Sequence, residues 1–494
     1  MRVGLVTLQD DLNCYGLRCL SSALREKGVE TRVLMLDRWG ADGAAKAYRG
    51  GMVPYESRAV DQAIAVLDGC DLVGFSVMTL YHRESAAWSG RIRRALGVPI
   101  VWGGIHPICR PEECLEHADI ICRGEAEETL PEIAARLAGG DGLEGLPGVW
   151  FRKGSEIVQN PVRQPARELD GFPFPDISVD GHYAYRDGNI QPLTAPELLR
   201  RWKHTYMTID ARGCALRCTY CCNSQLARHF DWTIVRAKGV PRIIAELRAA
   251  VRRYPGLEAI KLSDDAFGDL PIGYIRDFAQ AYKREVGLPL DIPGFSPSNL
   301  TREKLELLVD AGLMRTRIGI QAGSPRIRRL YGRSETDAQI LQAVETVQSF
   351  RPRIKHFKID VITDNPWESE EEVVESIRLL LRLPRPYSLA LFSLTLYPGT
   401  PLYTKAEREG LVASDGTFAP YRLHFYGIDQ GKRLNRILDL FRRPDLDRPG
   451  VERLVAVYRD PEAFEREYER YVRSLPSPPL WRKVAGFIRA RLDV

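Results

Sequence analysis

Arg212-Gly213-Cys214-Ala215-Leu216-Arg217-Cys218-Thr219-Tyr220-Cys221-Cys222-Asn223 sets three thiols at CxxxCxxC spacing. That spacing lets Cys214, Cys218 and Cys221 converge from one tight loop on three corners of a cube. Cysteine thiolates hold iron–sulfur clusters, and a 4Fe–4S cube has four irons, so three protein ligands leave one iron open. Zinc is the alternative, but it takes four protein ligands, usually as two close pairs, and the chain shows no second pair. Cys222 adjoins Cys221 and reads as a bystander, because neighbouring cysteines rarely share one metal geometry. The run Tyr206-Met207-Thr208-Ile209 just before the loop reads as a strand. The thiols then sit at a strand's C-terminal end, where parallel sheets and barrels bind their ligands.

Outward from this loop, residues 201–402 repeat one pattern. Apolar strands at 259–262, 291–296, 317–320, 357–362 and 390–396 alternate with helices such as 241–253 and 302–311. Counting 206–209 there are six strands. Their ends are polar or glycine-rich: Ser263-Asp264-Asp265, Gln321-Ala322-Gly323-Ser324, Thr363-Asp364-Asn365-Pro366 and Tyr397-Pro398-Gly399-Thr400. Alternation of this kind implies a parallel sheet.

Residues 1–140 alternate in the same way, with strands at 3–7, 31–36, 71–77, 99–102 and 119–122 and helices at 17–27, at 83–96 and through 137. The reading is a doubly wound, Rossmann-like α/β domain, whose ligand crevice lies outside the strand C-termini. Three strand ends stand out: Gly74-Phe75-Ser76-Val77-Met78-Thr79, Gly103-Gly104-Ile105-His106-Pro107 and Arg123-Gly124-Glu125-Ala126-Glu127. Small residues and hydroxyls there suit a long nucleotide tail, since glycine permits close backbone approach. Residues 141–200 read as a hairpin (149–151 with 157–158) followed by a proline-rich linker over the surface. Residues 403–494 read as a small, mainly helical region. Within it 421–426 is aromatic and basic, read as ordinary packing or as a closure of the barrel mouth. Residues 481–492 form a basic amphipathic helix, expected to dock on the barrel or, as the alternative, to touch an anionic membrane.

Composition narrows the class. The chain has 494 residues, 44% hydrophobic and 27% charged, as in globular proteins of two or three domains. A formal net charge of +5, without a basic block interleaved with aromatics, gives no case for nucleic acid. Met1-Arg2-Val3-Gly4-Leu5-Val6 enters a strand directly, so no signal peptide is expected, and no apolar run is long enough to span a bilayer. Ten cysteines then point to a reducing cytoplasm and to metal binding rather than disulfides.

Cys214, Cys218 and Cys221, with Tyr220 before the third, resemble the signature of the radical S-adenosylmethionine (radical SAM) superfamily. The resemblance implies a partial (β/α)6 barrel whose cluster binds SAM through the methionine amino and carboxyl groups and cleaves it to a 5′-deoxyadenosyl radical. It implies SAM contacts from Tyr220 near the adenine and from Ser263, Asp264 and Ser296. It adds Gln321, in a segment similar to the family's glycine–isoleucine–glutamate–serine–glycine strand, where glutamine keeps hydrogen bonding and loses the charge. Asp264 and Asp265 also read as helix caps at a βα loop.

The strand ends of residues 1–140 resemble the cobalamin-binding domain often found ahead of such barrels. The resemblance assigns Asn13, Ser76, Thr79, Gly103, Gly104, His106 and Glu125 to cobalamin. Where many such domains carry D-x-H-x-x-G, this chain reads Asp11-Leu12-Asn13-Cys14-Tyr15-Gly16. Asparagine is a poor cobalt ligand beside imidazole, so a base-off cobalamin without a histidine ligand is expected, with His82 and His106 as other candidates nearby.

Together the two resemblances imply a cobalamin-dependent radical SAM enzyme that methylates an unactivated carbon, one SAM giving its methyl to cobalamin and a second giving the radical. A non-methylating rearrangement, cyclisation or oxidation is the alternative, and a non-catalytic corrinoid-binding module a third. The implied partners are a small-molecule, natural-product or lipid substrate and an electron donor such as flavodoxin or ferredoxin.

Overall fold

The computed structural model describes residues 1–9, 13–37, 55–231, 235–412, 428–443 and 446–475. Asp11, Leu12, the aromatic 421–426 segment and the amphipathic 481–492 segment lie outside the described residues.

The first sheet is built from β1 (Arg2–Thr7), β2 (Glu30–Met35), β3 (Leu72–Ser76), β4 (Ile100–Gly103), β5 (Ile120–Cys122), β6 (Val149–Lys153), β7 (Glu156–Gln159), β8 (His182–Arg186) and β9 (Asn189–Pro192). Its order is β7-β6-β5-β4-β3-β1-β2-β8-β9. Strands β1 to β5 run parallel, and the order reverses beside β1, so the ligand crevice belongs at the ends of β1 and β3. Central β3 reads Leu72-Val73-Gly74-Phe75-Ser76, buried until its last residue, as a strand covered on both faces must be. The helices Tyr15–Glu26, Ala59–Leu67, His82–Leu96 and Thr129–Gly139 supply those covers.

The 141–200 stretch is more than a hairpin and a linker. The hairpin forms, but β6 pairs antiparallel with β5 and so extends the first sheet. At the opposite edge β8 pairs parallel with β2, and β9 folds back on β8. Strand β8 is short and starts with a histidine that the fold buries completely. An ionisable residue at an inward position is what hides it from a hydrophobic-period reading.

The second sheet follows from β10 (Thr205–Thr208), after which a two-residue ladder pairs β11 (Ala211–Arg212) with β12 (Arg236–Ala237). It continues through β13 (Ala259–Leu262), β14 (Leu290–Phe295), β15 (Leu313–Gln321), β16 (His356–Thr363) and β17 (Ser388–Ser393), in the order β10-β13-β14-β15-β16-β17, every pair parallel. Sequential order with helical crossovers is the partial (β/α)6 barrel. The crossovers are well punctuated: Thr336 with Gln339 and Ser369 with Glu372 form capping boxes that start Asp337–Gln348 and Glu370–Arg382.

Three helices, Arg433–Leu440, Arg448–Val457 and Pro461–Ser474, close the described chain. They return to the barrel through Asp364, at the end of β16, which accepts from the Asn435 amide at 2.9 Å and the Asp429 backbone at 3.1 Å. Among the described residues no helix is long and apolar enough to cross a membrane.

Candidate active site

The thiol loop runs from β11 to the helix Cys222–His229, on the C-terminal side of the second sheet. Its shape is set by backbone bonds to neighbouring strand ends. Asp265 accepts from Gly213 N at 3.1 Å and Asp269 from Ala215 N at 3.2 Å. Thr219 donates its N–H to Tyr331 O and its hydroxyl to Leu330 O. Gly332, at φ +69°, lets the next loop approach closely, since a Cβ there would stand 2.8 Å from Arg217 O. Cys218 is buried, and Cys214, Cys221 and Cys222 are half-buried.

Burial pushes the Cys214 thiol up to about 12. The neighbouring Cys222 thiol, and then burial, hold Cys221 well above the usual thiol value. Such thiols ionise when a soft metal replaces the proton. Among the described residues one group of three metal-ligating side chains has its donor atoms within 4.8 Å of one another, and it is not the cysteines. Three thiols from one loop, with no fourth protein ligand beside them in the sequence pattern, fit a cluster better than a mononuclear zinc.

Both flanks of this loop are fastened to the loop after β5 in the first domain. Before it, Arg212 pairs with Glu127 and lies 3.4 Å from Glu125, while Arg236 chelates both oxygens of Glu125. After it, His229 Nε2 donates to Arg123 O at 3.0 Å. A third tie joins the end of β10 to the segment after β1, where the Tyr15 hydroxyl donates to Ile209 O at 3.2 Å. The strand ends of the two sheets therefore share one mouth.

In the first domain the loops after β3 and β4 are packed backbone on backbone. Gly104 has φ +99°, and a Cβ on it would come within 2.8 Å of Val77 O. A Cβ on Gly103 would meet Cys122 Cβ at 3.8 Å, an ordinary packing contact, so the close approach is confined to Gly104.

The B12 binding domain model matches residues 1–134, and the radical SAM superfamily model matches residues 208–380. The chain carries a B12 binding domain followed by a radical SAM domain. A relative named as an uncharacterized methyltransferase of Pyrococcus horikoshii is 28% identical over 69% of this chain and 70% of its own. The cobalamin-dependent radical SAM methyltransferase TokK of Streptomyces tokunonensis is 24% identical over 64% of this chain and 45% of its own. The structure of the radical SAM methyltransferase TsrM of Kitasatospora setae, with tryptophan and a SAM analogue bound, superposes with a TM-score of 0.63 at 19% identity. It covers 83% of this chain and 76% of its own, a likeness of fold. A cobalamin-dependent radical SAM protein takes a 4Fe–4S cluster, SAM and cobalamin.

The residues expected from sequence fall as follows. Tyr220 packs edge-on against Tyr331, ring centroids 5.1 Å apart. Ser263 follows β13, its N–H on Thr208 O. Ser296 follows β14 and its hydroxyl is 2.9 Å from that of Ser298. Gln321 ends β15 at φ +66°, past a register shift in the β15–β16 ladder, an arrangement that re-aims a side chain. Asn13 stands just before the helix Tyr15–Glu26, and its carbonyl accepts from Arg18. Ser76 ends β3, and the buried Thr79 hydroxyl lies 3.3 Å from His106 Nδ1.

Two residues do other work than expected. Asp264 Oδ1 accepts from Asp210 N at 2.6 Å and Ala211 N at 3.2 Å, so the carboxylate ties the end of β13 to the segment that leads into the thiol loop and caps no helix. Burial, and then the Asp210 charge, push it well above the usual carboxylate range. Glu125, expected at cobalamin, has both oxygens engaged by Arg236. A carboxylate already chelated by a buried guanidinium is a poor acceptor for a further ligand.

Sequence reasoning missed Arg333 and Glu335. They form a buried ion pair at 2.8 Å, and Arg333 Nη1 also lies 3.7 Å from Cys218 Sγ. Their signal in the sequence is two opposite charges, Arg333 and Glu335, just after the glycine turn at Gly332. Arg212, inside the quoted stretch, was missed as the interdomain clamp because nothing local marks an ion pair between distant segments.

Proposed function

We propose that the protein transfers a methyl group from SAM, by way of cobalamin, to an unactivated carbon of a small molecule. The observation that carries this reading is the double fastening of the thiol loop to the loop after β5. It supports a mouth in which a substrate reaches both cofactor sites without leaving. The names of the Pyrococcus and Streptomyces relatives favour methyl transfer over other outcomes.

When bound, the cluster and SAM supply a hydrogen-abstracting radical, and cobalamin supplies the methyl group. The chain's residues hold and aim. Cys214, Cys218 and Cys221 ligate, and Asp265 and Asp269 fix the loop they stand on. Ser263, Ser296 and Gln321 line the strand ends where SAM is read to lie, and Tyr220 offers a face to its adenine. Arg333 faces the Cys218 sulfur, so positive charge is already in place beside the cluster. Glu125 and Glu127 of the first domain, with Arg212 and Arg236 of the second, hold the two sites in register. A small-molecule substrate, a cytoplasmic setting and a flavodoxin- or ferredoxin-type electron donor complete the reading.

The test is product analysis with methyl-labelled SAM and reductant on candidate substrates. Label in the product, with 5′-deoxyadenosine and S-adenosylhomocysteine formed in equal amounts, supports the reading. Sustained 5′-deoxyadenosine on the true substrate without S-adenosylhomocysteine overturns it in favour of a non-methylating radical reaction.

A further inference from the structure

Apart from the thiol loop, the first domain gathers three ligating side chains on two adjoining loops. His82 begins the helix His82–Leu96 after β3, while His106 lies in Ile105–Cys109 and Glu113 in Pro111–Cys114, both after β4. We infer that His82, His106 and Glu113 bind one divalent transition-metal ion of the zinc class.

Distance is the first argument. His82 Nε2 and His106 Nε2 stand 3.6 and 3.7 Å from the same oxygen, Glu113 Oε1. Both separations are too long for a hydrogen bond. Two ligands of one tetrahedral zinc, each at about 2.1 Å, are about 3.4 Å apart. The three donor atoms all lie within 4.8 Å of one another, so one ion can reach every one of them.

Orientation is the second. The imidazoles are stacked, centroids 4.5 Å apart and 28° between planes, and both Nε2 atoms face the same Glu113 oxygen. Their other nitrogens are already occupied by one residue: His82 Nδ1 meets Thr79 O at 2.8 Å and His106 Nδ1 meets Thr79 Oγ1 at 3.3 Å. The Thr79 carbonyl makes His82 Nδ1 the donor and leaves its Nε2 as the ligating lone pair, and the Thr79 hydroxyl can accept from His106 Nδ1 to the same effect, the arrangement that supports metal-bound histidines. His106 Nε2 is buried in a residue only 2% exposed and has no hydrogen-bond partner. An orphaned nitrogen aimed at a carboxylate costs free energy unless something sits between them.

Two imidazoles and one carboxylate suit zinc or a similar first-row ion, with the partly exposed Glu113 side left to a water. Such an ion would join the loop after β3 to the loop after β4. These are the loops that carry Thr79 and Gly104.

The experiment uses the full chain with Cys214, Cys218 and Cys221 changed to alanine, so that no cluster thiol competes. Zinc is titrated against a chromophoric chelator, and cobalt(II) is added in a parallel sample as a visible probe. One equivalent of zinc and tetrahedral cobalt(II) bands are expected. His82→Ala and, separately, Glu113→Gln should each weaken binding by about tenfold or more. Glu113 is partly exposed, so Glu113→Gln keeps the test intact if His82→Ala fails to fold. No zinc uptake, or uptake unchanged in the folded variants, overturns the inference. So does absent zinc uptake together with a hydroxocobalamin spectrum that changes in His82→Ala, which would make His82 a ligand of the corrinoid cobalt.

Discussion

Arg333 and Cys218 are in contact across the mouth of the barrel, Nη1 to Sγ at 3.7 Å, with the same guanidinium held by Gly319 O at 2.8 Å and by Glu335. A donor beside a cluster sulfur stabilises the more negative, reduced state. Replacing Arg333 alone strands Glu335 in the interior, so the informative variant is Arg333→Met with Glu335→Gln. If the contact is worth about 1 kcal/mol, the cluster's midpoint potential falls by roughly 40 mV. A redox titration followed by electron paramagnetic resonance reads the shift, and an unchanged potential denies Arg333 this role.

Iron content separates ligands from neighbours. Cys218→Ala should leave reconstituted protein without its cube, whereas Cys222→Ala should keep about four irons per chain. Cys222 opens the helix Cys222–His229 rather than ending the loop. Equal loss of iron in the two variants would mean that the ligand set is misassigned.

The interdomain pairs should carry measurable stability. Glu127 is 9% exposed and Arg212 is its partner, so Glu127→Gln leaves a guanidinium short of its counter-charge. Breaking a buried pair from one side costs about 3 kcal/mol. Thermal melting with limited proteolysis should show earlier separation of the two domains. A melt identical to that of the parent protein would show that the pair is solvated in practice.

Acid should weaken the first domain through His182. Burial, followed by the Arg18 charge, lowers this histidine from 6.5 to about 4. The unfolded chain therefore binds more protons than the folded one across that window. Stability is complete above the unfolded value and drains away as pH falls from about 6.5 to about 4, by about 3 kcal/mol in all. His182→Gln should flatten that slope in pH-dependent denaturant unfolding. A slope of the same size in the variant would assign the effect to other groups.

Much of the architecture was legible because periodicity and spacing are local. β1, β3, β13 and β16 are apolar runs with glycine or polar ends, and each lies within two residues of its expected bounds. β8 escaped because His182 faces inward, and a period argument takes an ionisable residue as outward. The thiol loop stands out in the sequence because its spacing is local. The duties of Glu125 and Asp264 were not, since each is decided by a partner from another segment: Arg236 for one, the Asp210 and Ala211 amides for the other. Sequence shows which groups arrive at a strand end, while the three-dimensional neighbourhood decides which of them are already taken.

The anchoring of the Cys214–Cys221 loop at Arg212 on one flank and at His229 on the other has a bearing on how a catalytic cycle would be paced. A loop pinned on a single side could swing between two partners. Pinned on both, it is tied to the first domain from two directions. Under the proposed reaction the polypeptide then serves as a fixed jig between the two sites rather than as a moving arm.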